Sequence, residues 1–365
     1  MSLIGTPFLA LSIVLAIGLT LSTLALWNRL PGPAPVLSAA RLALLLATQA
    51  TAVLVVLVCV NDSYLLYDSW HDLTGGAGGV TRLETGAAGY GRQVLTARSD
   101  DPRHPDFHPA GDGLLRADPV GARSGIHGSI FVWLPPEYSR PEHRGERFPV
   151  VELLPGQPGS PMAWFDAMHG QDELALLVRE QQARPMILVA AKSNTTGSAD
   201  AGCADLPGPG GPRTATWLGL DVPALIKSEF RASADPYDWS VMGYSAGGYC
   251  SANLVVHYPQ VFHSAVSISG YNEPIAPVVR SHPELVPAND PLQLLDRADP
   301  QPDIALLLTG SREDGTTVAD ARALISVLRA PATGDLLTVQ HGGHNMDVWV
   351  AMLPDSFRWI SRHLR

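Results

Sequence analysis

Residues 239–258 read WSVMGYSAGGYCSANLVVHY, and the change of pattern inside this stretch decides the fold. Trp239 to Gly243 is a short apolar run suited to a buried strand, whereas Ala246 to Tyr258 repeats its apolar residues with a helical period. Between them, Gly243-Tyr244-Ser245-Ala246-Gly247 matches G-x-S-x-G, and its setting between a strand and a helix implies a sharp turn with the serine at its apex. The turn is tight, so only small residues fit at Gly243 and Gly247. Ser245 Oγ, held above the sheet edge, is the candidate nucleophile. The backbone N–H of Ala246, at the start of the helix, is a candidate oxyanion donor.

Outward from this turn, short apolar runs alternate with helical stretches. Ile126 to Leu134, Pro149 to Leu154, Pro185 to Ala191, Phe262 to Ser269, Ile304 to Thr309 and Leu336 to Gln340 read as strands. Met162 to Arg179, Leu218 to Phe230, Thr317 to Leu328 and Asp347 to His363 read as helices. The alternation is that of βαβ units around a mostly parallel sheet, which makes residues 91–365 a single α/β domain. Asp100 to Gly113 is dense in turn residues and reads as a surface loop.

A serine hydroxyl needs a base, and a base needs an orienting acid. His344 is the candidate base. It follows two glycines in Gln340-His341-Gly342-Gly343-His344-Asn345, after the last strand and before the last helix, whereas His341 still belongs to the strand end. Glu313 and Asp314 stand in the loop after the preceding strand, and Asp314, the shorter carboxylate and next to Gly315, is the preferred acid. The order serine, acid, histidine is that of the α/β-hydrolases. A second oxyanion donor is expected after the strand ending at Leu154. In Pro155-Gly156-Gln157-Pro158 the prolines carry no N–H, which leaves Gln157 best placed. The proline-rich insertion between Tyr271 and Pro302 is the candidate cover for an acyl or alcohol pocket, and Trp164, Phe165 and Trp217 could line a pocket or fill the core.

The first 60 residues are of another kind. No charge occurs from Met1 to Trp27 or from Leu42 to Val60, and Phe8–Trp27 and Leu42–Val60 are each long enough to cross about 30 Å of hydrocarbon as a helix. Residues 1–61 are thus expected to form a two-helix transmembrane hairpin, with the lipid bilayer as partner of residues 8–60. Arg29 and Arg41 are the only basic residues of the first 80 and lie between the two apolar runs, which places the hairpin's turn in the cytoplasm and all that follows on the outer face. Asn61 to Leu73 carries Tyr64, Tyr67 and Trp70 and suits a membrane interface. Gly75 to Gly91 reads as a tether, so residues 62–90 connect anchor and domain.

Across all 365 residues, 25 basic side chains face 35 acidic ones, a balance that argues against a nucleic-acid partner, and 46% hydrophobic residues are too many for disorder. No CxxC, HExxH or clustered His/Cys spacing occurs, so neither a metal nor another cofactor is expected. Cys203 and Cys250 are the only cysteine pair of the globular part, and either a disulfide or two buried thiols fits them.

Taken together, GYSAGGYCSANLVVHYPQVF, the LLPGQ turn, SGIHGSIFVWLPPEY and the terminal GGHN make residues 114–365 resemble an esterase family of α/β-hydrolases that includes S-formylglutathione hydrolases and the secreted mycolyltransferases. The resemblance implies Ser245 as nucleophile, His344 as base, an acid at Glu313 or Asp314, and oxyanion N–H groups at Gln157 and Ala246. The apolar hairpin before a Tyr/Trp-rich segment resembles membrane-anchored actinobacterial members. The acid loop is shorter than in the mycolyltransferases, and the cysteines do not match theirs. The expected activity is therefore ester hydrolysis, with acyl transfer to a sugar or lipid alcohol as the alternative and a noncatalytic envelope protein as a third reading. The substrate would be an ester or acyl lipid.

Overall fold

The central parallel strands of the globular part are mostly apolar, because their sheet is covered on both faces. Val150–Leu154, Ile187–Ala191, Trp239–Tyr244 and Ser264–Ile268 are buried at every residue. The computed structural model describes residues 6–64, 105–196, 200–208 and 210–365. Most of the expected interfacial segment and the whole of the expected tether lie outside the described residues. The chain divides into two units, residues 1–75 and 76–365.

The first unit contains α1 (Thr6–Leu26) and α2 (Ala34–Tyr64), which pack against each other. Segments Pro7–Leu26 and Ala34–Asn61 are long and apolar enough to cross a bilayer. Ser12, Thr23, Val58 and Asn61 are buried, and Thr23 Oγ1 lies 3.0 Å from Thr48 Oγ1 across the pair. Small and hydroxyl side chains between helices let backbones approach and satisfy each other away from water. Leu, Ile and Val side chains such as Val14, Leu24, Val56 and Leu57 face outward instead. The turn is shorter than its sequence suggested, because α2 already begins at Ala34. Arg41 thus sits within α2, where its Nε donates to the Trp27 carbonyl at 3.1 Å and its guanidinium lies over the Trp27 ring.

In the second unit the strands are β1 (His108–Gly111), β2 (Leu114–Ala117), β3 (Ile130–Trp133), β4 (Val150–Leu154), β5 (Ile187–Ala191), β6 (Trp239–Tyr244), β7 (Ser264–Ile268), β8 (Ala305–Ser311) and β9 (Thr333–Val339). They form one sheet in the order β1-β2-β3-β5-β4-β6-β7-β8-β9. The pairs β1·β2, β2·β3 and β3·β5 are antiparallel, and from β5 to β9 all neighbours are parallel. The sheet is thus mostly parallel, as expected of an α/β-hydrolase. Strand β1 falls inside the turn-dense stretch read as a loop. It is four residues long, with a register shift between Pro109 and Gly111, and it is mostly exposed, so it has no apolar alternation to betray it.

Helices α3 (Gly170–Arg179), α4 (Val222–Glu229), α5 (Ala246–His257), α6 (Thr317–Ser326) and α7 (Met346–His363) cover the sheet. One core joins α5 with Trp217, Trp239 and Phe262, and the other joins α7 with Trp164, Phe165 and Trp133. Trp164, Phe165 and Trp217 are therefore core residues. The stretch expected as one helix from Met162 to Arg179 is broken at His169, whose φ of 50° lies in the left-handed region. The chain leaves β4 toward β5 on one side, while β6 lies on the other side. A crevice opens beyond the carboxyl ends of strands at such a switch point, and the loops after β4 and β6 border it here.

Candidate active site

The turn between β6 and α5 is built by steric exclusion. A Cβ on Gly243 would lie 2.1 Å from the Gly247 carbonyl oxygen, and one on Gly247 would lie 2.2 Å from that of Leu154. With both positions stripped of side chains, α5 starts directly against β4 and β6. Ser245 takes φ 56° and ψ −120°, a conformation that costs a non-glycine residue on the order of 1–3 kcal/mol. Its N–H donates to the Ile268 carbonyl at 2.8 Å, which ties the strained residue to β7.

His344 arrives from the loop after β9. Gly342 takes φ +100°, and the Asn345 side chain caps α7 by accepting the Val348 N–H at 3.2 Å. Between these two fixed points the imidazole stands edge-on to Trp349, ring centroids 4.9 Å apart. Its Nε2 lies 2.8 Å from Ser245 Oγ, and its Nδ1 lies 2.9 and 3.0 Å from the two carboxylate oxygens of Asp314. Asp314 is buried in the turn after β8, where its carbonyl accepts the Thr317 hydroxyl at 2.9 Å. The side chains of Ser245, Asp314 and His344, separated by 69 and 30 residues along the sequence, form one continuous hydrogen-bonded chain.

Glu313 is not in that chain. It accepts from His341 Nδ1 at 2.9 Å and from the Gly342 N–H at 2.8 Å, and those two hydrogen bonds hold its carboxyl below the usual range. Both members of this second pair are exposed.

Gln157 and Ala246 border one small cavity beside Ser245, open to solvent. Ala246 is the first residue of α5, where the helical ladder leaves the leading amides without intrahelical acceptors. Pro155 and Gly156 complete this wall, and a Cβ on Gly156 would meet Tyr244 at 2.9 Å and the Ser245 Cβ at 3.2 Å. The other wall comes from Ser193, Asn194 and the segment Asp200 to Cys203, with Tyr249 and Cys250 of α5. No residue of the insertion between Tyr271 and Pro302 lines this cavity. That insertion packs instead behind α5, where the Tyr249 hydroxyl donates to the Asn289 carbonyl at 2.7 Å.

Of two further supports, the sequence showed only one, and that as one of two readings. Tyr244, the variable residue before the serine, is buried, stacks on Trp349 with ring centroids 4.7 Å apart and meets the tilted ring of Trp164 at 5.4 Å; burial pushes its hydroxyl well above the ordinary range. Cys203 and Cys250 are joined in a disulfide, so of the two readings of this pair the bridge is the one present. Tyr244 could have been suspected from its place in the motif, but the wall residues Ser193, Asn194, Asp200, Gly202 and Cys203 carry no local signal.

A family model described as "Putative esterase" matches residues 125–360. A curated relative, an uncharacterized protein of Corynebacterium glutamicum, is 24% identical over 245 residues. The match covers 64% of this chain and 56% of that protein, so the chain spans little more than half the length of this relative. Among solved structures, a ferulic acid esterase superposes with a TM-score of 0.59 at 17% identity, over 69% of this chain and 97% of the other. An S-formylglutathione hydrolase from Agrobacterium tumefaciens does so with a TM-score of 0.57 at 15% identity, over 71% and 99%. At such identities these two likenesses speak for the α/β-hydrolase fold.

Proposed function

The chain belongs to the Putative esterase family, and from that premise we propose that it is a membrane-anchored serine esterase with Ser245, His344 and Asp314 as its triad. Ser245 Oγ attacks the carbonyl carbon of a carboxylic ester while His344 Nε2 takes the hydroxyl proton. The negative charge that develops on the carbonyl oxygen is met by the N–H groups of Gln157 and Ala246. His344 then gives its proton to the departing alcohol, leaving an acyl group on Ser245. Water, deprotonated by the same imidazole, releases the acid. Asp314 keeps Nδ1 protonated, so that Nε2 faces the serine as acceptor, and it stabilises the imidazolium.

The observation that carries this reading is the continuous contact from Asp314 through His344 to Ser245, at 2.9 and 2.8 Å, ending beside a cavity bordered by both oxyanion candidates. The His344 side chain is 43% exposed, which gives water access to the base and favours hydrolysis over transfer to another alcohol.

The anchor reading rests on α1 and α2. Arg41 reaches back to the Trp27 carbonyl and so stays with Arg29 near the turn, which favours a cytoplasmic turn and a catalytic domain on the outer face. The Cys203–Cys250 disulfide supports the same side, since such bonds persist in oxidising compartments.

Labelling with a fluorophosphonate probe tests the nucleophile: the wild-type chain is expected to label and Ser245→Ala not to. Release of p-nitrophenol from short-chain esters, with and without added alcohols, tests the reaction, and ester product outrunning free acid would replace hydrolysis by transfer. A reporter fused after Arg365 that is active in the cytoplasm would reverse the orientation.

A further inference from the structure

The cavity beside Ser245 carries, apart from the oxyanion N–H groups, two acceptors that the ester chemistry does not use. Asp200 is the only charged residue of its lining, and Asn194 presents an Oδ1 that is buried without a hydrogen-bond partner among the described residues. Asp200 Oδ1 accepts the Gly202 N–H at 2.8 Å, and among the described residues no cation is paired with its carboxylate. A partly buried carboxylate and a buried, bare amide oxygen leave two acceptors on the border of a space that a substrate group could enter. Burying such groups without donors is costly, and a ligand that supplies the donors recovers that cost.

This wall is also held in place before any ligand arrives. The disulfide ties Cys203 to Cys250 on α5, and Asn253 Nδ2 of the same helix donates to the Cys203 carbonyl at 3.3 Å. Gly202 takes φ +63°, and a Cβ there would meet Val279 at 2.3 Å, so the loop lies flush against the segment behind it. A site fixed in this way loses little freedom when it binds.

We infer that this cavity is a recognition subsite for a hydrogen-bond-donating group of the substrate, a hydroxyl or an ammonium, with Asp200 and Asn194 Oδ1 as its acceptors. The inference rests on the reading of Ser245 as nucleophile, and it narrows the substrate class to esters carrying a polar donor near the scissile bond, in preference to plain alkyl esters. Burial pushes the Asp200 carboxyl above its ordinary range, against the opposing pull of the Gly202 N–H, which is the electrostatic mark of a carboxylate short of donors.

The test uses the full chain in detergent and two sets of isosteric esters. On the acyl side, p-nitrophenyl glycolate and glycinate are compared with the propionate; on the alcohol side, glycerol monoacetate is compared with butyl acetate. In at least one set the donor-bearing ester is expected to exceed its alkyl partner in kcat/KM by about tenfold or more relative to the same ratio in Asp200→Ala. Asn194→Leu is expected to reduce the ratio as well. Asp200→Asn separates the two donors, since an amide oxygen still accepts from a hydroxyl but no longer compensates an ammonium charge. Thermal melting of each variant reports whether it folds. Ratios equal in the wild type and in folded Asp200→Ala and Asn194→Leu would overturn the inference while fluorophosphonate labelling of Ser245 leaves the esterase reading standing. Absence of that labelling in the wild type would overturn the esterase reading and the inference with it.

Discussion

Glu313 and Asp314 are neighbours in the chain, yet their carboxylates hold different histidines: Glu313 the exposed His341, Asp314 the half-buried His344 that touches Ser245. The acid whose loss should abolish turnover is therefore Asp314. Replacing it by Ala or Asn is expected to lower kcat by about 10³- to 10⁴-fold, because the imidazole loses the partner that fixes its tautomer. Glu313→Gln keeps the shape, leaves His344 paired, and is expected to cost less than about tenfold. Steady-state hydrolysis of a p-nitrophenyl ester by both variants checks the assignment; a larger loss in Glu313→Gln than in Asp314→Ala would reverse it.

Gly156 and Gly243 are both intolerant of a Cβ, but for different reasons. At Gly243 the intruding methyl would meet the backbone of Gly247, which cannot retreat without unseating α5, so Gly243→Ala is expected to fail to fold. At Gly156 it would meet the edge of the Tyr244 ring and the Ser245 Cβ, groups of the site itself. Gly156→Ala is expected to fold and to lose about 10²-fold or more in kcat, since small displacements of the Gln157 amide or of Ser245 degrade oxyanion stabilisation. Melting curves set beside kcat separate the two outcomes, and a Gly156→Ala enzyme of wild-type rate would exclude this role for the 155–157 turn.

What the sequence made legible is what is encoded locally. The run from Trp239 to Tyr258 contains its own strand, turn and helix, and the terminal Gly-Gly-His-Asn contains both the flexible joint and the cap that place His344. The central parallel strands are legible because burial on both faces leaves them mostly apolar. β1 is not, because an exposed four-residue edge strand has no pattern to show. The cavity wall formed by Asp200, Gly202 and Cys203 is not legible either, since its placement depends on a disulfide to a residue 47 positions away and on packing against Val279. For the same reason the sequence of the insertion after Tyr271 suggests a pocket cover. Its apolar residues are spent on α5 and on Gly202, and nothing in its composition distinguishes that use from covering a cleft.

The Cys203–Cys250 bond closes a loop of 47 residues, for which loop-closure entropy gives about 4 kcal/mol, with about 2–5 kcal/mol typical of native bridges. Cys203→Ala/Cys250→Ala is accordingly expected to melt several degrees lower than the wild type. If the bridge matters mainly by fixing the cavity wall, KM for donor-bearing esters rises more than kcat falls. Differential scanning in detergent and initial rates measure the two effects, and a double variant that melts like the wild type would remove the stabilising role.

Glu152 is fully buried in the middle of β4, on the face it shares with Val150 and Leu154, and neither carboxylate oxygen has a hydrogen-bond partner among the described residues. Burial alone pushes its carboxyl well above the ordinary value of 4.5, so the folded chain keeps the proton that the unfolded chain gives up. Above pH 4.5 the unfolded state then binds fewer protons than the folded one. Stability falls as pH rises from there toward the folded-state value and stays low beyond it. Glu152→Gln is neutral at every pH and escapes this loss. The variant is expected to melt with the wild type near pH 4 and above it at pH 8, with the separation growing steadily between. An equal difference at both pH values would mean that shape, and not protonation, distinguishes the two side chains; a wild type more stable at pH 8 would mean that the carboxylate is ionised and has found a partner.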